Sequence, residues 1–379
     1  MSYYGSTDDK GKAFANDCDT GQFPTARLVH RIKYESPLMT TKTDLYPLSF
    51  EPIYKEKVWG GRSFQTLGRD LPGDESMGIG ESWEIADLAT TSVSGGGGNA
   101  EYSAVANGPL EGQSIRQLMQ RFGEALLGPG VTAADDGGFP LLIKFLDAKE
   151  NLSVQVHPSP DYAATHDDAY LKSEAWTIID HEPGAVIYKG LAPGTTPEML
   201  RAALETNTDE AVVPLLNAIP ARKGDCHYLP SGTLHALGAG VLVAEVQTPS
   251  DTTYRVYDWG RNDRQLHIEQ AMACIDFSDR ATADESTPAQ TINGMTVTKK
   301  ATCDFFDIDE YATNESAKAT DLKLYSAEVW MNLEGDATLQ HGGDSTRFKP
   351  GQTLLLPASL DTVTLEATTP GRWLRVTLP

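Results

Sequence analysis

Between Leu152 and His157 the chain alternates apolar and polar residues, so in an extended segment Leu152, Val154 and Val156 face one way and Ser153, Gln155 and His157 the other. Comparable apolar runs bounded by glycine, proline or small polar residues predict strands over 81–86, 225–230, 241–247, 323–330, 351–357 and 373–378. Two stretches carry the helical period instead. Ser114 is placed to cap a segment in which Ile115, Leu118, Met119, Phe122 and Leu126 recur before Gly128, which predicts a helix over about 112–128. Thr196 followed by Pro197 opens a second helical block, about 196–218. Met199, Leu200, Ala203 and Leu204 form its first apolar stripe, and Val212, Val213, Leu215 and Leu216 the continuation. Both stripes predict core packing.

The pattern is mainly β with a small helical insertion. Residues 1–40 show no sustained period and predict a disordered extension, and Met39 supplies a second candidate start. A first globular unit is expected over 41–280, a polar linker over 281–290 and a second β region over 291–379. The second region repeats part of the first. Gly224, Pro230, Gly232 and His235 fit the pattern G-x5-P-x-G-x2-H, in which a strand runs into a tight turn and presents a histidine. Gly351 and Pro357 copy the first half, but Ser359 stands in the glycine position and Thr362 in the histidine position.

Composition narrows the functions available. At 379 residues, with 40% apolar and 22% charged, the chain has the balance of a globular protein with room for about two domains. No run of about eighteen apolar residues and no apolar signal core occur, so a cytoplasmic protein without a membrane span is expected. Cys18, Cys226, Cys274 and Cys303 lie far apart with no Cys-x-x-Cys pair, which argues against a disulfide framework and against thiolate-bound zinc. A formal charge of −22 repels nucleic acid and anionic membranes, so an anionic ligand needs a locally basic pocket. The four glycines from Gly95 to Gly98 have no following Lys-Ser/Thr and predict a hairpin turn, not a phosphate loop.

Gln155 and His157, about 7 Å apart along one strand face, can both reach one metal ion if two further donors come from elsewhere. His166, His181, His227, His267 and His341 lack such a context and are read as structural, and Lys149 and Glu150 as solvated charges.

The G-x5-P-x-G-x2-H pattern resembles the second cupin motif, with Gln155-x-His157 in the place of the first. Gln155 replacing a histidine, Glu174 in Lys172-Ser-Glu174-Ala-Trp, and His235 after Leu229-Pro-Ser-Gly-Thr-Leu together resemble the type I mannose-6-phosphate isomerase family. Val58-Trp59-Gly60, Ser82-Trp-Glu-Ile85, Ser153-Val-Gln-Val-His-Pro158 and Asp251-Thr-Thr-Tyr-Arg255 extend the resemblance from about Tyr46 to Phe277. It implies two cupin (jelly-roll) β-barrels with a small α-helical insertion, the first holding one zinc ion per chain through Gln155, His157, Glu174 and His235, the second without metal ligands. It also implies interconversion of mannose 6-phosphate and fructose 6-phosphate through a cis-enediol, which requires ring opening and proton transfer between C1 and C2.

In that scheme Lys172, two residues before Glu174 and on its face by alternation, takes part in acid–base work. Asp251 assists ring opening and Arg255 stabilises developing charge. Lys144 and Arg261 join Lys172 and Arg255 as a basic cluster for the sugar phosphate, and Trp59 is a candidate apolar wall. Two alternatives stand beside this reading: an isomerase of another phosphosugar, and a non-catalytic, metal-dependent sugar-phosphate binding protein. An iron-dependent cupin oxygenase fits less well, because such sites use more histidines.

Overall fold

Strand alternation in this chain resolves into two pairs of sheets. The computed structural model describes residues 45–95, 99–278 and 288–379; the expected extension over 1–40 and most of the expected linker lie outside the described residues. Gln290, expected in the linker, already opens the strand Gln290–Ile292. The first large sheet runs in the order Ile53–Gly61, Ile79–Ile85, Leu142–Ala148, Val241–Gln247, Glu174–His181, Cys226–Leu229. Its smaller companion runs Tyr254–Tyr257, Val154–Val156, His235–Leu237, Val186–Leu191, Leu216–Pro220. All pairings are antiparallel.

Every residue of Leu142–Ala148 and Val241–Gln247 is buried, which explains their nearly continuous apolar character: both faces are covered. Outward, Ile143, Phe145, Ala244 and Val246 join one cluster with Phe306, Ile308, Val329, Met331 and Leu374 from the C-terminal strands. Inward, Leu146, Trp176, Ile178 and Val243 pack with Trp59, Leu152, Ile187 and Leu237, so the large sheet faces the small one. Burying one such side chain contributes about 1.5–3 kcal/mol. The inner face also carries a polar row in register across three strands, Lys144–Glu245–Trp176.

Ser114 caps its helix as expected: its hydroxyl accepts from the Gln117 amide at 3.2 Å while the Gln117 side chain accepts from the Ser114 amide at 2.9 Å. The predicted single helix is nevertheless interrupted. Ile115–Phe122 stops at Gly123, whose φ of 45° and ψ of −114° suit glycine, and Glu124–Leu127 restarts so that Leu126 and Leu127 turn inward. Thr196 caps Pro197–Thr206, which ends at Asn207 in the left-handed region. Asp209–Val212 follows, but 216–218, expected as helix, is strand: Pro214 cannot supply an amide to continue the helix, and Leu216–Pro220 pairs with Val186–Leu191. The expected strand 323–330 is likewise two strands in different sheets, Ala317–Lys323 and Glu328–Glu334. Among the described residues no helix is long and apolar enough to cross a membrane, and Cys226, Cys274 and Cys303 are unbridged.

The internal repeat extends to strand order. Counting eight strands from Leu142–Ala148, the sheets read first–eighth–third–sixth and second–seventh–fourth–fifth; counting eight from Asp307–Thr313 gives the same two orders. Register then pairs positions between the copies. Glu174 lies opposite Leu229 and Gln247, and Glu328 opposite Leu356 and Thr377. Glu245 lies opposite Trp176, and Arg375 opposite Trp330. Arg375 donates to both oxygens of Glu328, with Nε to Oε2 at 2.9 Å, so the second copy of this carboxylate is held by an internal guanidinium. Removing one partner of a buried pair leaves the other charge uncompensated. Arg375→Met is therefore expected to lower stability by roughly 3 kcal/mol, the low end of the usual range because water still reaches part of the arginine. A denaturant midpoint identical to wild type would show that the pair contributes nothing.

Candidate functional site

The four expected metal ligands come from both sheets of the first pair. Gln155 lies on the short strand Val154–Val156, directly opposite His235 on one side and Arg255 on the other. His157 follows just past the end of that strand, and Glu174 is the first residue of Glu174–His181 in the large sheet. Gly232 shapes the turn before His235: its φ is 89°, its amide donates to the His157 carbonyl at 3.2 Å, and a Cβ there would lie 3.0 Å from the Cys274 carbonyl. The turn thus ties two of the ligands together.

Hydrogen bonds fix the tautomer of each imidazole. His157 Nδ1 lies 2.9 Å from the Thr252 carbonyl and His235 Nδ1 2.8 Å from the Thr233 carbonyl. A carbonyl only accepts, so each Nδ1 carries the proton and each Nε2 presents a lone pair. Those lone pairs point at another acceptor: His157 Nε2 is 3.4 Å from Glu174 Oε2, and His235 Nε2 is 3.2 Å from Glu174 Oε1. Burial, reinforced by the Lys172 charge, pushes the His157 imidazole down to about 3, so it stays neutral. Burial would raise the Glu174 carboxyl, but the Lys172 charge overcomes that and holds it well below the usual carboxylate range.

Neutral donors facing a carboxylate across a dry gap are repulsive unless a cation lies between them. Nε2 of His157 and both Glu174 oxygens are buried without a hydrogen-bond partner among the described residues. The Gln155 amide completes the arrangement at 3.4 Å from His235 Nε2, and a ligating amide presents its oxygen there. Four donors placed tetrahedrally about 2.0–2.2 Å from one ion are about 3.3–3.6 Å apart. His157, Glu174 and His235 meet the requirements of a divalent metal in number, chemistry and spacing.

Gln155 and, beside the cluster, Lys172 line a cavity of about 380 Å³ together with Trp59, Lys144, Asp251 and Arg255. Trp59 lies against Gly80, where a Cβ would sit 2.6 Å from the indole. Lys172 precedes the strand and does not belong to it, yet its ammonium is 2.9 Å from Glu174 Oε2. Lys144 is clamped 3.2 Å from Glu245 and 3.6 Å from Glu81; burial opposes its charge, and these carboxylates raise its pKa nonetheless. Glu245 in turn accepts from Trp176 Nε1 at 2.9 Å.

Arg261 is not among the lining residues; it donates to the Asn151 carbonyl and to Asp258, both at 2.7 Å. Arg264 does line the cavity, also anchored to Asp258, at 2.6 and 2.9 Å. Lys55 pairs with Glu101 and Lys57 with Glu81. Among the described residues, Arg255 is therefore the cavity cation with no carboxylate within ion-pair distance. Its pKa is lowered, first by burial and then by Arg264.

Sequence reasoning missed Arg264, Glu81 and Glu245. The last is legible only from register, because six strands and about a hundred residues separate it from Lys144 in chain order. Of the discounted histidines, His166 stacks on Tyr162 and His267 precedes the helix Ile268–Cys274.

Two family models match the chain: phosphomannose isomerase type I, catalytic domain, over residues 48–187, and mannose-6-phosphate isomerase, cupin domain, over 296–376. Mannose-6-phosphate isomerase ManA of Bacillus subtilis is 33% identical over 338 residues, 86% of this chain and 97% of that protein. A crystal structure of the mannose 6-phosphate isomerase from Bacillus subtilis superposes with a TM-score of 0.76 at 30% identity, covering 88% of this chain and all of the other. A mannose 6-phosphate isomerase bound with zinc and yttrium shares the fold at 17% identity, with a TM-score of 0.64 and the same coverage. With a relative matched almost from end to end, and with both halves recognised in order, this chain belongs to the type I mannose-6-phosphate isomerase family.

Proposed function

We propose that this chain interconverts mannose 6-phosphate and fructose 6-phosphate as a zinc-dependent aldose–ketose isomerase. The observation that carries the reading is the acceptor cluster His157, Glu174 and His235, which reaches through Gln155 and Lys172 to a cavity whose Arg255 has no carboxylate of the described residues within ion-pair distance. Gln155, His157, Glu174 and His235 would hold the ion, which when bound supplies positive charge beside the sugar oxygens that become negative. The strand order, first–eighth–third–sixth over second–seventh–fourth–fifth, supports reading each pair of sheets as a cupin jelly roll with the helices as insertions, over 41–280 and 291–379. Only the first holds metal in this reading, since Arg375 already neutralises Glu328 and Thr362 stands where His235 would. A cytoplasmic site of action belongs to the same proposal.

The chain's own groups then divide the chemistry. Lys172, 2.9 Å from a ligand oxygen and bordering the cavity, is placed to move a proton at the C1–C2 end of the sugar. Asp251 assists opening of the ring, and Arg255 stabilises the enediolate with donors that no carboxylate occupies. Trp59 supplies an apolar wall. Lys144, already shared by two carboxylates, keeps Glu81 and Glu245 in place, and the phosphate falls to Arg264. Arg264→Met is expected to raise KM for the phosphosugar by about 10- to 100-fold with kcat little changed, the signature of lost uniform binding. An unchanged KM places the phosphate elsewhere.

A coupled assay for fructose 6-phosphate formation, with and without chelator, tests the function directly. Turnover of other aldose phosphates at equal or higher kcat/KM would favour a different phosphosugar. Binding without exchange of the C2 proton into solvent would favour a sugar-phosphate binding protein.

A further inference from the structure

We propose that the loop from Thr91 to Gly95 is a positioning element for the reaction, setting Asp251 and Arg255 as a single unit; the inference rests on the reading of those two residues as reacting groups. The loop meets alternate residues of one extended edge. The Ser92 amide donates to Asp251 Oδ1 at 2.7 Å, the Ser94 hydroxyl accepts from the Thr253 amide at 3.3 Å, and the Ser94 carbonyl accepts from Arg255 Nη2 at 3.1 Å. Tyr254–Tyr257 is the outermost strand of the small sheet, and the loop lies beside the segment that leads into it. The Ser92 and Ser94 hydroxyls, 3.2 Å apart, brace the loop internally.

The acceptor offered to Arg255 is what gives the arrangement its purpose. Arg255 Nε has no hydrogen-bond partner among the described residues, and none of their carboxylates lies within ion-pair distance of the guanidinium. A neutral carbonyl aims the fork of donors without cancelling its charge, whereas a carboxylate in the same place would compete with an anionic substrate. On the other side, Gly95 fits flush against Asp251: a Cβ would sit 2.5 Å from Oδ2 and would collide with the Asp251 carbonyl. Asp251 is thus gripped between an amide donor and a surface that tolerates no side chain.

Gly95→Ala tests this. Displacing reacting groups by about 1 Å costs on the order of 10²-fold, so kcat is expected to fall about 10- to 100-fold with metal content unchanged and KM altered less than kcat. Ser94→Ala, which removes the hydroxyl contacts with Thr253 and Ser92, is expected to lose about 10-fold, and it keeps the test open if Gly95→Ala folds poorly. A merely structural loop would not show coupling. In an Arg255→Met or Asp251→Asn background, Gly95→Ala should cost less than about 2-fold further, because the group it positions is gone. Losses that multiply independently overturn the proposal, as does wild-type kcat in both loop variants while Arg255→Met and Asp251→Asn are impaired. If Arg255→Met and Asp251→Asn are themselves fully active, the functional reading falls with it.

Discussion

Replacing Lys172 with alanine is expected to lower kcat by about 10² to 10⁴, the loss typical of a positioned acid–base group. The residue is buried, its ammonium is 2.9 Å from Glu174 Oε2, and it borders the cavity beside the ligand cluster. Two roles are compatible with that geometry: moving a proton on the sugar, and balancing the charge of a buried carboxylate. They separate experimentally. Lys172→Arg keeps the positive charge beside Glu174 but offers a group that does not give up its proton. If Lys172 transfers a proton, Lys172→Arg keeps full metal content yet stays within about tenfold of the alanine variant in kcat. If it only balances charge, arginine restores most of the turnover. Near wild-type turnover in Lys172→Ala removes the residue from the mechanism.

The site was readable in the sequence to the extent that its parts are local. Gln155 and His157 share one short alternating segment, and the Gly232 turn delivers His235 within a recognisable pattern, so three of the four proposed donors follow from spacing and turn chemistry. Glu174 does not follow in this way; a carboxylate at the start of an apolar strand has no local mark, and it was reached through the family resemblance. The row Lys144–Glu245–Trp176 was hidden because cross-strand register depends on which strands become neighbours. That is also why Lys144 resembled a free substrate cation and is instead enclosed by Glu81 and Glu245.

Errors in the fold have equally local causes. Periodicity placed the helix at 115–122 correctly but could not register the break at Gly123, since a break adds no apolar residue out of phase. Residues 216–218 carried a helical stripe whose continuation was forbidden by Pro214 and claimed by the edge of a sheet. The run from Gly95 predicts a turn and nothing more. The contacts of Ser92 and Ser94, just before it, with Asp251, Thr253 and Arg255 join segments about 160 residues apart, a distance no sequence pattern spans. Residues 96–98 of that run lie outside the described residues.

His235→Ala should abolish metal binding and lower activity by about 10³-fold or more, since the ion supplies several kcal/mol of charge stabilisation. The variant removes a donor that touches two of the others: His235 Nε2 is 3.2 Å from Glu174 Oε1 and 3.4 Å from the Gln155 amide. Three remaining donors from a neutral amide, one imidazole and one carboxylate form a weaker and open sphere. Folding is expected to survive. The core of the C-terminal sheets, built on Trp330, Trp373, Phe348 and Leu365, contains no residue of the metal cluster, and His235 is a single side chain at the entry of a short strand. Linkage gives a second readout independent of turnover. A ligand that binds only the folded chain stabilises it by about 4 kcal/mol at a thousandfold excess over Kd, so zinc should raise the Tm of the chelated wild type and leave His235→Ala unmoved. The same addition to His341→Ala, far from the cluster in chain order and discounted as a ligand, should behave as wild type. Full metal stoichiometry in His235→Ala, measured by elemental analysis, would overturn the ligand assignment, because no other buried group of His, Cys, Asp or Glu among the described residues has the spacing to replace it.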